Sequence, residues 1–399
     1  MMRRFSMFVQ LTCKNRNEKE MNELYEVLGL LCKREEVQIE DRIDRVEIIA
    51  CPQGKIVVKE EDGDMVIRAN TRHAGPGFHA FVVDILKDLQ EEVPGEYELV
   101  DDMEYDKDED FERLQSLYQD EMDYIRGVLL KNALFREQNY MYDETFFLPM
   151  NLENRILTSI GDMDLKEFKS MNTSDLMDSF YVWNDWDRDA KFYKNCALTL
   201  LAREGVGKYT LMNDSTIKQA NDICEYIEVA YQKDPNISLP IEVYQNLCKQ
   251  LDRENKIENG ISMEQEVIQY RTREVYHLFD DARVVANGAC ERSYDPVNEA
   301  ICLMSPYLDE GQWQWLIQAS KESHICSHDD EMMASDPIEY DHKSIWMVEY
   351  EEEGVWMIDA CVRYKEKYLY FHDVLAEKED LPYLKQCIKE SGFLPGQED

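Results

Sequence analysis

Residues 68–79, Arg-Ala-Asn-Thr-Arg-His-Ala-Gly-Pro-Gly-Phe-His, constrain this chain more than any other stretch, because a backbone bend and a helix start coincide there. Gly75, Pro76 and Gly77 let the backbone leave an extended run, and proline presets the first helical position. Phe78, Phe81, Val82, Ile85, Leu86 and Leu89 then recur at i, i+3, i+4, i+7, i+8 and i+11. This spacing predicts a helix to about residue 92 with one buried apolar stripe. The new helix end exposes backbone N–H groups where Arg68, Arg72, His73 and His79 can gather with Gly75 and Gly77. Such a gathering would suit an anion.

The runs on either side say what the helix packs on. Residues 5–13 alternate as a strand, and 17–32 carry Met21, Leu24, Leu28 and Leu31 at helical spacing. Residues 45–51, 55–59 and 65–70 are short β-branched runs separated by Pro-Gln-Gly and Glu-Asp-Gly-Asp, both turn sequences. With a returning strand at 97–100, they predict an α+β domain over 1–110, built on an antiparallel sheet. Residues 101–112 hold eight acids against one lysine, which fits a solvated approach to the next helix.

From 111 the period becomes helical, so 111–305 reads as a mainly helical domain with helices at 174–181, 189–203, 215–232, 240–253 and 262–281. Ser262-x-x-Gln265 matches a capping box, and Trp183, Trp186, Phe192 and Tyr193 fall where a bundle core is expected. In 306–399, Trp313, Leu316, Ile317 and Ser320 share a helix face. Residues 344–350, 355–363 and 368–372 alternate as a three-stranded meander, and a helix at 381–391 closes the region. The expected fold class is therefore α+β, with an N-terminal antiparallel sheet and helices, a central helical region, and a C-terminal three-stranded meander plus helix. Whether the two sheets join stays open at this level, as does the oligomeric state.

The net charge is −39, from 44 basic and 83 acidic residues. A chain this acidic repels phosphate backbones, so nucleic acid is not expected and a basic protein is the natural partner. Eleven cysteines lie scattered without a Cys-x-x-Cys pair, the usage of reduced thiols in apolar surroundings. The opening Met-Met-Arg-Arg-Phe-Ser segment has only a short, interrupted apolar run, and no run reaches the length of a membrane span. A cytoplasmic protein with no membrane segment and no cofactor is expected.

Chemistry-bearing residues are few. His324 and His328 would share one helical face and could hold zinc with Asp329 or His342, yet Ile325 stands where the protease form of that signal needs Glu. A solvated charged stretch without metal is the expectation there. Cys51 and Cys326 are candidate nucleophiles only if the fold brings a histidine to them. No Walker loop, nucleophile elbow or kinase set occurs. Very acidic, aromatic-rich α+β chains are what proteins that bind and neutralise a partner need, bacterial toxin-immunity proteins among them. That is an analogy of composition rather than of motifs. The leading expectation is an acidic protein-binding or inhibitory module. The alternative is an enzyme or anion-binding protein at the Gly75-Pro76-Gly77 turn.

Overall fold

In the computed structural model the described residues are 7–14, 17–131, 148–152, 154–204, 213–264, 267, 269–305 and 313–394. They fall into two units, one of Met1–Lys131, Thr158–Ala202 and Lys218–Val267, the other of Asn132–Leu157, Arg203–Ile217 and Ile268–Asp399. Each unit is therefore assembled from separated stretches of chain, whereas the sequence suggested three consecutive blocks dividing near 110 and 305.

The first unit is organised by strand alternation. Val9, Leu11 and Cys13 of β1 (Phe8–Cys13) are buried at every second position, as a strand with one covered face requires. β1 lies between β5 (Asp64–Asn70) and β6 (Tyr97–Asp101), with Leu11 opposite both Ile67 and Leu99. The hairpins β2 (Gln38–Asp41), β3 (Val46–Cys51), β4 (Gly54–Glu61) and β5 complete a six-stranded antiparallel sheet in the order β2-β3-β4-β5-β1-β6. Asn17 caps α1 (Glu18–Arg34), taking the N–H of Lys19 and Glu20 while Glu20 answers the Asn17 N–H. This capping box fixes where the helix starts. α2 (Pro76–Glu92) begins after Gly75, whose φ of 113° only glycine adopts without strain. Its first turns are buried on all sides, and it packs on β1 and α1.

The rest of this unit is mainly helical: α3 (Phe111–Lys131), α4 (Leu165–Ser170), α5 (Thr173–Phe180), most of α6 (Ala190–Glu204), most of α7 (Asp214–Lys233), and α8 (Ile241–Gln250); the spacing predicts all of these but α4. Among the described residues the expected helix at 262–281 does not form, and Gln265 of its expected capping box lies outside them. Ser262, read as its cap, instead pairs in parallel with Leu239, and residues 274–279 are a strand. Val275, Tyr276, His277 and Leu278 are all buried, and a strand covered on both faces loses the period that would separate it from a helix.

The second unit holds β7 (Glu274–Phe279), β8 (Ala282–Asn287), β9 (Glu291–Asp295), β10 (Ala300–Met304), β11 (Trp315–Ser320), β12 (Ile338–Tyr340), β13 (Lys343–Glu352), β14 (Val355–Tyr364) and β15 (Lys367–Leu375), then α9 (Leu381–Glu390) and β16 (Gly392–Phe393). β9 to β15 form a seven-stranded antiparallel sheet, order β9-β10-β11-β15-β14-β13-β12, and β7, β8 and β16 a smaller one. The expected meander is thus its β13–β15 part, and residues 274–304 are strands rather than the end of a helical domain. The expected helix face at 313–320 is strand β11, where Trp315, Ile317 and Ala319 are buried in alternation. Ile317, Ile358, Phe371 and Leu375 of the sheet share a core with Leu384 and Ile388 of α9. Among the described residues no helix is long and apolar enough to cross a membrane.

Candidate functional site

The turn singled out in the sequence is built into the protein interior. Gly77 donates its N–H to the Trp183 carbonyl at 3.0 Å, and Trp183 donates back to Ala74 at 2.9 Å. One helix-start donor that an anion would need is therefore held by backbone. His79 is completely buried, its Nδ1 at 2.8 Å from Thr71 Oγ1 and its Nε2 at 3.0 Å from Asp101 Oδ1. Burial acts upward on the Asp101 carboxyl, but His79 and the N–H groups of Met103 and Asp106 outweigh it and hold the group below its ordinary range. Arg72 pairs with Glu121, and Arg68, exposed on β5, donates to Gln10 at 2.7 Å. Burial, with Arg72 beside it, pushes His73 down to about 4. Arg68, Arg72 and His79 each hold a different partner and do not converge.

What the glycines admit is the segment 181–186. A Cβ at Gly75 would stand 2.8 Å from Tyr181 Cβ, and one at Gly77 would fall on the Trp183 ring and the Asp185 carbonyl. Trp183 turns inward, its ring centroid 5.3 Å from Phe81 and 4.7 Å from Phe192. Arg188 lies over Phe81 and Trp183 and is tied to Glu35 at 2.8 Å. Gln115 of α3 holds the Asn184 carbonyl at 3.0 Å.

With 183 fixed inward, Trp186 is presented outward. It is 49% exposed, resting on Tyr105 and edge-on to Phe111 at 5.5 Å. These rings bring the acid run and the 185–189 loop to one face, where Glu104, Asp108, Glu109, Asp110, Glu112, Asp185, Asp187 and Asp189 are exposed. Lys107, Arg113 and Lys87 answer Glu104, Asp108 and Glu109. Glu112, Asp185, Asp187 and Asp189 have no ion pair among the described residues. Two carboxyls, half-buried Asp84 and exposed Asp185, register this crowding. Asp84 is raised to about 6 by burial and then by Glu109, and Asp185 is raised by burial and by Asp178, Asp189 and Asp187 against the pull of Lys191.

In the second unit His324 lies in a single turn, Ser323–Ile325, and His328 caps another, Asp329–Met333, so the two do not share a helix face. No group of three or more His, Cys, Asp or Glu able to hold a metal ion occurs among the described residues. His328 instead donates its backbone N–H to Asp359 Oδ2 at 2.7 Å. Asp359 is completely buried and also takes His372 Nδ1 at 2.7 Å and the Tyr350 hydroxyl at 3.3 Å. This arrangement can orient an imidazole, but no activated thiol serves it. Burial raises the Cys326 thiol, whose Sγ lies 3.3 Å from the Phe371 carbonyl, and raises Cys51 to about 12.

Asp359 and His372 were missed in the sequence, although a carboxylate inside the apolar run 355–363 was a usable signal. Trp186, expected in a bundle core with Trp183, is instead half-exposed; its setting among Asp185, Asp187 and Asp189 was the contrary signal. No protein-family model, curated protein or solved structure matches the chain.

Proposed function

We propose that this protein is a binding module that docks a basic protein through the acidic face carrying Trp186. The observation that supports this reading is a half-exposed indole on a face where acids outnumber bases and Glu112, Asp185, Asp187 and Asp189 have no ion pair among the described residues. Such a face has the two parts that recognition of a cationic surface needs. The carboxylates steer encounter and reject acidic partners, while a rigid aromatic buried at the centre supplies affinity. An overall charge of −39 extends that steering beyond the patch. A toxin neutralised by its immunity protein is one partner of this class. All eleven cysteines are free, which suits a reducing, cytoplasmic setting.

The test is capture from native lysate on immobilised protein at low and high salt, with Trp186→Ala beside the wild type. The expected result is one or more basic proteins, held in a complex that survives size exclusion, weakened steeply by salt and lost in Trp186→Ala. Capture indifferent to salt and to Trp186 would overturn the proposal.

A further inference from the structure

The first unit also contains a cleft of about 460 Å³, a size typical of small-molecule sites. α6 lines it with Lys191, Lys194, Asn195 and Leu198, at i, i+3, i+4 and i+7, so one helix face supplies two cations and an apolar base. The cations are not equivalent. Lys191 is answered by Asp178 at 2.7 Å. Lys194 donates to the Ser238 hydroxyl at 3.2 Å and pairs with no carboxylate among the described residues.

An ammonium carries three donors, so this contact leaves Lys194 two more for a ligand. Burial lowers its pKa, and Lys191 nearby acts the same way, so the charged lysine is held at a cost that a bound anion would offset. The surroundings define the rest of that ligand. Met163 and Leu198 are buried in the wall, with Ile160, Met171 and Met263 beside them, a surface suited to an apolar body. Asp162, Glu167 and Asp178 also line the cleft against Lys191 and Lys194; their field opposes any anion, and a doubly charged group such as phosphate about twice as strongly as a single carboxylate.

We infer that this cleft binds a small organic acid, its single carboxylate on Lys194 and its apolar portion on Met163 and Leu198. The cleft shares Lys191 and Asp178 with the electrostatic surroundings of Asp185, but its test reads a small ligand rather than a captured protein, so either reading can fail alone.

Hexanoate and benzoate are the probes, with hexanol, hexylamine and inorganic phosphate as controls, read by titration calorimetry on the whole chain. The expected result is saturable binding of a carboxylate, at least about tenfold weaker for hexanol and in Lys194→Met, and partly kept in Lys194→Arg. A second measurement does not depend on variant folding. Acetic anhydride at neutral pH should acylate Lys194 ahead of the exposed lysines, with hexanoate slowing that site alone by mass spectrometry. No saturable binding of either acid, a preference for hexylamine or phosphate, equal binding in a folded Lys194→Met, or labelling of Lys194 unaffected by hexanoate would each overturn the inference.

Discussion

Gly77→Ala sets two accounts of the central turn against each other. In a helix's first turn alanine is ordinarily tolerated, so from the sequence alone this substitution should cost little. In the structure the added methyl coincides with Trp183 Cδ1 and Nε1 and with the Asp185 carbonyl. Relief by moving the wall breaks the pair of backbone hydrogen bonds between Gly77, Trp183 and Ala74. Overpacking alone costs about 1–3 kcal/mol. Relief by expelling Trp183 removes an indole buried to 3% among Phe78, Phe81 and Phe192, and losing a buried aromatic costs about 3–5 kcal/mol. The cheaper route is therefore near 3 kcal/mol, a fall of roughly 6–12 °C in melting at about 2–4 °C per kcal/mol. The control is Gly29→Ala in α1, where nothing lies within 4 Å of the added carbon, and where helix propensity should raise stability by about 0.5–1 kcal/mol. Differential scanning calorimetry with and without 10-fold steps of phosphate reads both. A Gly77→Ala melt within about 1 kcal/mol of wild type, with a phosphate-dependent rise present only in wild type, would refute the packing argument. It would also return the turn to an anion site.

Other substitutions test the electrostatics. Asp84, raised from 3.8 to about 6 in the folded protein, is protonated there at pH values where the unfolded chain has already lost the proton. Stability should therefore fall as pH rises from about 4 to about 6 and then level off. Asp84→Asn should remove that slope and stabilise at pH 7 by roughly 1 kcal/mol, because partial exposure screens a shift worth about 3 kcal/mol at full weight; equal urea midpoints at pH 7 would rule this out. Burial, with Asp359 second, raises Asp373 well above the carboxylate range, so Asp373→Asn should likewise stabilise at neutral pH and lose the effect near pH 3. Asp359→Ala strands donors from half-buried His372, His328 and Tyr350 and should cost about 1–3 kcal/mol by denaturant midpoint. A loss under about 1 kcal/mol would show that Asp359 is not holding them.

The parts of the fold legible in sequence are those with one buried face. β1, α1, α3, α5, α7 and α8 carry a period of two or of 3.6, because solvent on one side forces polar residues into the pattern; α2, buried on all sides in its first turns, was legible from its Gly-Pro-Gly start, and α4 was missed. The failures lie where that contrast vanishes. Residues 275–278 are covered on both faces, and a continuous apolar run is compatible with either element. β11 offered Trp313, Leu316, Ile317 and Ser320 as a helical face by coincidence. The buried alternation Trp315, Ile317 and Ala319 was present in the same letters but rests on pairing with β10 and β15, neighbours that no local window contains.

The site was legible by composition and not by pose. Gly75-Pro76-Gly77 reads as a strand-to-helix bend and as an alternative anion site, and what lies against it is Trp183, more than a hundred residues away in the chain. Basic residues beside a helix start resemble an anion pocket only until their partners are known. Arg72 has Glu121 and His79 has Asp101, both supplied by elements distant in sequence. The same logic separates the two tryptophans of 183–186. Equal in type and three positions apart, one fills the space that Gly77 leaves open, and the other is turned out beside Tyr105 and Phe111. Trp186 packs one side on Tyr105 and Phe111 and leaves a surplus of apolar surface in water beside Glu112, Asp185, Asp187 and Asp189, which have no ion pair among the described residues. That surplus is the physical reason for assigning the outward indole to a partner, and the inward one to the fold.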